Sequence, residues 1–294
     1  MSDLYSLDLE RGSSSYLYKN NCSNSVKLSR SGTVEAWVAL ESLPSVAGSS
    51  FGIVTVTRGS DNAYTLYIDS VDNKPTVVFN DSVGQTKYKA NTAFVGGDLG
   101  VFIHIAAIID ADGASVDFTK DGIDDGSNMV TNAATQISNG GTQSLYIGRT
   151  VTASQLFDGL IDEVRVWNTL RTIAQINATK DVFLTGSESG LKAYWIFNQS
   201  YDDQTNGNND LSVNGVPVFS TTIPFEELLT LTLDPAVLTL KAELGSILLS
   251  GTATVSPAAA SMALQASLGS VLITPGALTT KKVFTQPKTH RIQQ

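Results

Sequence analysis

The chain has 294 residues, of which 42% are hydrophobic and only 16% are charged, and its formal net charge is −9 at pH 7. This length is enough for one large β domain of about 200–250 residues plus a further segment. The acidic balance argues against nucleic acid as the main partner, because phosphate binding needs a basic surface. Cys22 is the only cysteine, which excludes an intrachain disulfide.

Short alternating segments separated by polar turns extend from the start of the chain to about residue 223 and predict β-strands. Residues 102–109 form a nearly continuous apolar run, which predicts a central strand buried on both faces with His104 in its middle. Many short strands with almost no helix indicate an all-β antiparallel sandwich or jelly roll. Further alternating segments are residues 33–38, 64–68, 76–79 and 115–119.

One segment predicts a helix. Thr172 and Gln175 have the spacing of a capping box, and Ile173 and Ile176 give the following turn an apolar side.

A period of two over residues 160–167 predicts a strand with two distinct faces. The alternation places Asp162 with Leu160, Val164 and Val166 on one face. It places Glu163 on the opposite face, with Ile161, Arg165 and Trp167. We therefore expect Asp162 and Glu163 to be unable to act together as a catalytic pair.

The composition changes from residue 226, where aromatic residues almost vanish and the chain repeats itself with a spacing of 24, residues 238–249 aligning with 262–273. The repeats alternate and predict strands, but about 55 residues of small side chains make a poor independent core, and exposed strand edges promote association. Residues 224–280 are therefore predicted to be a repeated β segment for self-association or anchoring. The alternatives are a self-contained β module or a disordered tail. Residues 281–294 form a basic tail, either a solvated terminus or a contact for an acidic neighbour.

Six segments follow, in order, the sequence pattern of laminin-G-like domains of the concanavalin A-like lectin/glucanase superfamily. The resemblance implies that residues 1–223 fold as a jelly roll of two packed antiparallel sheets. It assigns no function, because lectins, adhesins, spacers and glycosidases share this fold. The segments are residues 6–10, 32–38, 104–110, 144–149, 157–168, and 190–198 together with 203–210.

The resemblance also implies one structural calcium ion, which takes six to eight oxygen ligands. Its ligands would be Asp203 and Asn209 in a polar turn, Asp162 on the closing strand, and Asp8 on the first strand. The alternative is that these side chains cap turns through their own hydrogen bonds.

No catalytic residue is predicted. Glucanases of this superfamily place their acids on one strand as Glu-x-Asp-x-x-Glu, and this motif is absent from the chain. Ser50 fits a Gly-x-Ser-x-Gly pattern, but a loop precedes it and a strand follows it, so it does not form a nucleophile elbow. His104, His290 and Cys22 are too few for the usual zinc sites.

Sugar binding needs an exposed aromatic ring beside hydrogen-bonding groups. Tyr88, near Asn80 and Asp81, is predicted to be such a glycan-binding group. Tyr16 or Tyr18 is a second candidate. The three tryptophans lie within predicted strands and are expected in the core.

The first residues show neither a basic region nor an apolar run, and no stretch approaches the roughly 20 apolar residues that span a membrane. A lectin-like domain without a visible export signal or disulfides favours a non-enzymatic structural protein of a phage virion. Export by another route, or a missing N-terminus, would also explain this combination. Such a protein would be made in the host cytoplasm and would decorate the capsid or tail, bind other virion proteins, and face cell-surface glycans. The alternatives are a secreted glycan-binding adhesin of bacteria, outside the cell or at its surface, and a carbohydrate-active enzyme.

Overall fold

The computed structural model describes residues 4–225 except 23–25, 29, 59–60, 82, 113–114, 133, 135–136 and 138–140, and it leaves out the side chains of residues 58, 61 and 62. The predicted repeats from residue 226 onward and the basic tail 281–294 lie outside the described residues. The division of the chain into three segments therefore stays a prediction.

The described strands are numbered in chain order. They are β1 (Ser6–Leu9), β2 (Tyr16–Lys19), β3 (Ser31–Leu40), β4 (Phe51–Arg58), β5 (Asp61–Ile68), β6 (Pro75–Asn80), β7 (Gln85–Lys89), β8 (Ile103–Asp110), β9 (Ser115–Lys120), β10 (Ile123–Asp124), β11 (Asn128–Thr131), β12 (Leu145–Ile147), β13 (Gly159–Trp167), β14 (Leu191–Trp195), β15 (Ser212–Asn214) and β16 (Val218–Ser220).

These strands form two antiparallel eight-stranded sheets, as the alternating pattern predicts. Sheet A has the order β10-β9-β8-β3-β13-β1-β16, and β14 also pairs with β13. Sheet B has the order β11-β7-β6-β5-β4-β12-β2-β15. The prediction of an all-β sandwich is confirmed.

The main core contains side chains from both sheets, so each strand has an inner face toward the core and an outer face away from it. In β3, Val34, Ala36 and Val38 lie in the core, whereas Glu35 and Trp37 lie on the outer face of sheet A. Each large aliphatic side chain buried in this way contributes about 1.5–3 kcal/mol. The predicted central strand β8 is buried along most of its length, with His104 fully buried on the outer face.

Strand β13 contains a β-bulge that a period of two did not predict. Asp162 lies opposite Trp37, yet Arg165 lies opposite Glu35, so the register shifts between them. Glu163 adopts φ +50°, in the left-handed region. A bulge inserts one extra residue and reverses the phase of the side chains that follow.

The prediction that Asp162 and Glu163 face opposite sides of the sheet is therefore wrong. Both carboxylates lie on the outer face of sheet A, because the bulge turns Glu163 to the same side as its neighbour. The residues around them that face the core are Ile161, Val164 and Val166.

The predicted helix is confirmed as α2 (Ile173–Thr179), the second of the two short α-helices among the described residues. The Gln175 amide donates to Thr172 Oγ1 at 3.2 Å, and the Thr172 amide donates to Gln175 Oε1 at 2.9 Å, which completes the capping box. The sequence did not predict α1 (Pro44–Ala47), a single turn that ends at Gly48 with φ +65°. None of the helices in the described part of the chain has the length and apolar character to span a bilayer.

Candidate functional site

Two of the four predicted calcium ligands, Asp203 and Asn209, come together in the turn after β14. Asp203 Oδ2 accepts hydrogen bonds from the backbone and side-chain nitrogens of Asn209 at 3.2 and 3.0 Å. Asp203 Oδ1 accepts from the Tyr194 amide at 3.1 Å, the Thr205 amide at 3.0 Å and Thr205 Oγ1 at 2.8 Å. The chain itself therefore satisfies this carboxylate, as the turn-capping alternative expects.

The other two predicted ligands lie elsewhere. Asp8 approaches Glu10 and Glu41, their ligand atoms lying within 4.8 Å of one another, and among the described residues no such acidic group includes Asp162 or Asp203. Burial, with repulsion from nearby carboxylates such as Glu10, raises the pKa of Asp8 and Glu41. The predicted ligand set is not assembled as one site, and calcium binding itself stays a prediction.

The outer face of sheet A carries a group that we call the buried ion network: Glu35, His104, Glu163, Arg165 and Tyr194, all 0% exposed. Arg165 Nη2 lies 2.5 Å from Glu163 Oε2, and Arg165 Nη1 lies 3.8 Å from Glu35 Oε1. Tyr194 Oη donates to the Glu163 carboxylate at 2.7 Å, and His104 Nε2 lies 3.4 Å from Glu35 Oε2. The bulge in β13 makes this network, because it turns Glu163 toward Arg165.

The charges in the network stabilise one another against burial. Burial opposes ionisation of Glu35, but His104 and Arg165 outweigh it and lower the pKa of this carboxyl. Burial likewise acts to lower the pKa of Arg165, and the charges of Glu163 and Glu35 outweigh it and raise that pKa. Burial, with the Glu163 charge, raises the pKa of Tyr194.

The network fastens the segment after α2 onto sheet A. Arg165 donates to the carbonyls of Thr179 and Val182, each at 2.8 Å, and Trp37 Nε1 donates to the Lys180 carbonyl at 2.9 Å. These carboxylates are 0% exposed and lie beside Arg165 and His104, so they join the strands of sheet A to one another.

The predicted glycan-binding residues Tyr88, Asn80 and Asp81 do not form an open platform. Tyr88 lies in the main core with only 4% of its surface exposed, because it pairs with the core residue Val77. Asp81 Oδ1 accepts from the amides of Val83 and Gly84 at 2.7 and 3.1 Å, which caps the β6–β7 turn. The expectation that the Tyr88 ring is exposed is wrong.

A different aromatic surface lies on the outer face of sheet B, and we call it the tyrosine patch: Tyr16, Tyr18, Tyr146 and Arg149. Tyr18 lies directly opposite Tyr146 across β2 and β12. The Tyr16 ring is 6.2 Å from that of Tyr18 and 6.1 Å from that of Tyr146, in tilted and edge-on geometry. All four residues are partly exposed.

The tyrosine hydroxyls of the patch face solvent. The described residues offer no hydrogen-bond partner to the hydroxyls of Tyr16, Tyr18 or Tyr146, in contrast to Tyr194 and Tyr64, whose hydroxyls are bonded. Rings held by a sheet, with free hydroxyls at their edges, offer both an apolar surface and hydrogen-bonding groups.

Arg149 lies over this patch at the end of β12. Its guanidinium carbon is 4.3 Å from the centre of the Tyr146 ring and 4.8 Å from that of Tyr16. Its Nε and Nη2 donate to the carbonyls of Thr150 and Val151 at 3.0 and 3.2 Å. The arrangement places a cation beside two aromatic faces.

The sequence over residues 11–177 matches a laminin-G family model described as the concanavalin A-like lectin/glucanases superfamily. The chain belongs to this superfamily. No curated protein matches the chain.

Three solved structures are similar to this chain at low sequence identity. A Bacteroides ovatus protein to which carbohydrate binding is attributed has a TM-score of 0.56 and 17% identity, over 75% of this chain and 60% of that one. A pentraxin from Limulus polyphemus has a TM-score of 0.48 and 14% identity, over 70% and 88%. Tailspike protein 2 of bacteriophage CBA120 has a TM-score of 0.46 and 14% identity, over 66% and 30%. This member of the superfamily thus spans about 60% of the length of the Bacteroides protein.

Sequence reasoning named Tyr16 and Tyr18 and missed Tyr146 and Arg149. A signal for Tyr146 was present, because Leu145 and Ile147 on either side of it are apolar and buried. The pairing of β2 with β12, which brings the tyrosines together, joins segments more than one hundred residues apart. No pattern in the local sequence predicts which strands pair or in what register.

Proposed function

We propose that this superfamily member is a non-enzymatic carbohydrate-binding protein that uses the tyrosine patch as its sugar platform. The observation that carries the proposal is the set of three partly exposed tyrosines on one sheet face whose hydroxyls have no partner among the described residues. Carbohydrate rings have apolar faces and many hydroxyls, which match aromatic rings with free polar edges.

A carbohydrate role attributed to the Bacteroides ovatus relative is consistent with this proposal, since the two proteins share a fold. The relative's name alone does not transfer the role, because site residues and not the fold determine binding. The tyrosine patch supplies site residues of the required chemistry in this chain.

The non-enzymatic part of the proposal rests on where the carboxylates lie. Hydrolysis of a glycosidic bond needs two carboxyl groups on either side of the bond, about 5–10 Å apart. Asp162 and Glu163 are 0% exposed on the outer face of sheet A. The described strands of sheet B contribute one acidic residue, Asp61. The described strands that carry the tyrosines therefore supply no pair of carboxylates for a retaining or inverting mechanism.

The wider role that we propose is a structural protein of a phage virion. The domain would project from the capsid or tail and bind cell-surface glycans, and the repeats from residue 226 would bind other subunits. The support is the small, alternating composition of the repeats, which needs burial against something larger. Mass measurement of the full chain tests this, because assembly through the repeats predicts an oligomer and a secreted adhesin predicts a monomer.

We propose a structural calcium ion only as a group that stabilises the fold, not as part of the sugar platform. If an ion is bound to the described domain, EDTA lowers the melting temperature of the full chain and added calcium restores it. An unchanged melting temperature contradicts the calcium prediction without touching the proposed sugar platform.

A glycan array probed with the full chain tests the sugar platform. We expect Tyr146→Ala to lose at least about tenfold in affinity for the bound glycans, because the ring that the sugar covers is gone. Tyr146→Phe is the matched control, since it keeps the ring, and it should retain most of the binding. Equal binding by wild type and Tyr146→Ala, at equal melting temperature, would remove the patch from the proposal.

A further inference from the structure

The acidic residues of this protein are divided unequally between the two sheets. The described strands of sheet B contain a single acidic residue, Asp61, although the whole chain has a net charge of −9. The seven acidic residues in the strands of sheet A are Asp8, Glu35, Asp110, Asp117, Asp124, Asp162 and Glu163. The tyrosine patch therefore lies on the sheet whose described strands contain fewer acidic residues.

Arg149 is the cation of that face that touches the tyrosines. Its guanidinium contacts two backbone carbonyls and two aromatic rings, and no carboxylate of the described residues lies within ion-pair distance of it. The Nη1 nitrogen has no hydrogen-bond partner among those residues. By contrast, the buried Arg165 on sheet A has two carboxylates beside it. A guanidinium with a free donor can accept an anionic group from outside the protein.

The sheet fixes the position of Arg149. Thr55 Oγ1 of β4 donates to the Arg149 carbonyl at 2.8 Å. The Arg149 backbone also crosses β4 so closely that a Cβ built on Gly52 would lie 2.1 Å from the Arg149 carbonyl carbon. With the backbone held at these two points and the guanidinium against two rings, the cation is preorganised beside the tyrosines, which limits the entropy lost on binding.

We propose that the tyrosine patch selects anionic glycans, with Arg149 binding a carboxylate or sulfate group while the tyrosines bind the sugar ring. This rests on the proposed function and deepens it, since it names the class of glycan. A charge-assisted hydrogen bond from arginine is about twice as strong as a neutral one. A neutral sugar leaves the free donor of Arg149 without that bond.

Matched polysaccharides separate charge from sugar identity. The probes are polygalacturonate against its methyl ester, for the carboxylate, and dextran sulfate against dextran, for the sulfate. Affinity electrophoresis or calorimetry on the full chain should show at least about tenfold tighter binding to one or both charged members. The preference should weaken as salt rises from 50 to 500 mM, because added ions screen the contact.

Three variants assign the preference to Arg149. Arg149→Gln should reduce the charged-over-neutral preference at least about tenfold, whereas Arg149→Lys should keep part of it because the charge remains while the fork is lost. Lys87→Gln is the matched control, because it removes one positive charge from the same sheet without touching the tyrosines. It should change the preference by less than about threefold.

The outcomes distinguish this inference from the proposed function. Equal binding of charged and neutral members, or an unchanged preference in Arg149→Gln, overturns the inference and leaves the sugar platform standing. Equal losses in Arg149→Gln and Lys87→Gln also overturn it, because they show general attraction instead of a contact. If none of the four polysaccharides binds while neutral glycans on the array do, the inference fails and the proposed function survives. If neither the polysaccharides nor the glycans on the array bind, the inference and the proposed function both fail.

Discussion

The outer faces of the two sheets are built from the same alternating strands and have opposite properties. On sheet A, the outer face carries charged side chains that are paired, closed off from solvent and covered by the segment after α2. On sheet B, the tyrosine patch keeps partly exposed rings, free hydroxyls and an arginine without a carboxylate partner. Buried charges beside opposite charges are costly to separate, whereas exposed polar groups held in place without partners are available to a ligand.

The two faces should differ most in the stability effects of replacing their arginines, Arg165 on sheet A and Arg149 on sheet B. We expect Arg165→Met to lower the free energy of unfolding by about 3–5 kcal/mol, because it removes the guanidinium charge beside the buried carboxylates of Glu35 and Glu163. Urea denaturation at pH 7 measures this.

Arg149→Met is the control on the other face. It removes a partly exposed side chain and should cost about 1 kcal/mol or less. Similar losses in the two variants would mean that the faces do not differ in the way described.

The two kinds of tyrosine give the next largest difference. Tyr194→Phe removes the hydroxyl that donates to Glu163 at 2.7 Å, so we expect a loss of about 1.5–3 kcal/mol in stability. Tyr18→Phe removes a hydroxyl without a described partner and should change stability by less than about 0.5 kcal/mol. Thermal unfolding of both variants under one condition checks the pair, and a larger loss in Tyr18→Phe would contradict it.

Gly52 tests whether the sheet positions Arg149. Gly52→Ala places a Cβ 2.1 Å from the Arg149 carbonyl carbon, so the backbone over β4 has to move, at a cost of about 1–3 kcal/mol. A weaker preference for charged polysaccharides should accompany that cost.

Gly97→Ala is the matched control for Gly52→Ala, because no atom lies within 4 Å of the Cβ that it adds. It should leave both stability and binding unchanged. A stable Gly52→Ala variant with full binding would show that Arg149 is not held as described.

The acidic cluster of Asp8, Glu10 and Glu41 gives the smallest effect. The pKa of Glu41 is raised in the folded protein by burial and by its acidic neighbours, so stability falls as pH rises through that pKa. Glu41→Gln should be more stable than wild type at pH 7 by a few tenths of a kcal/mol, since solvent screens the site. The difference should vanish below about pH 4, where both proteins are uncharged at this position. If Glu41→Gln is less stable than wild type at pH 7, the proposed repulsion between Glu41 and its acidic neighbours is contradicted.

The sandwich could be predicted because period-two alternation is a local property, and the α2 cap because Thr172 and Gln175 lie three residues apart. The bulge at Glu163 was not predicted, because a period of two was applied across it. The two consecutive polar residues between the core residues Ile161 and Val164 break the alternation and were the signal for it. Tyr88 was misplaced although the phase of β7 was visible, since Lys87 and Lys89 occupy the outer face and Tyr88 lies between them. Tyr146 joined the candidate site only through long-range register.

The claim that the open face binds the ligand is tested most directly by following ring signals of individually assigned tyrosines by NMR during titration with a glycan from the array. The account predicts shifts for Tyr16, Tyr18 and Tyr146 that saturate together, with Tyr194 and Tyr64 unchanged. Saturable shifts at Tyr194 without shifts in the tyrosine patch would contradict it.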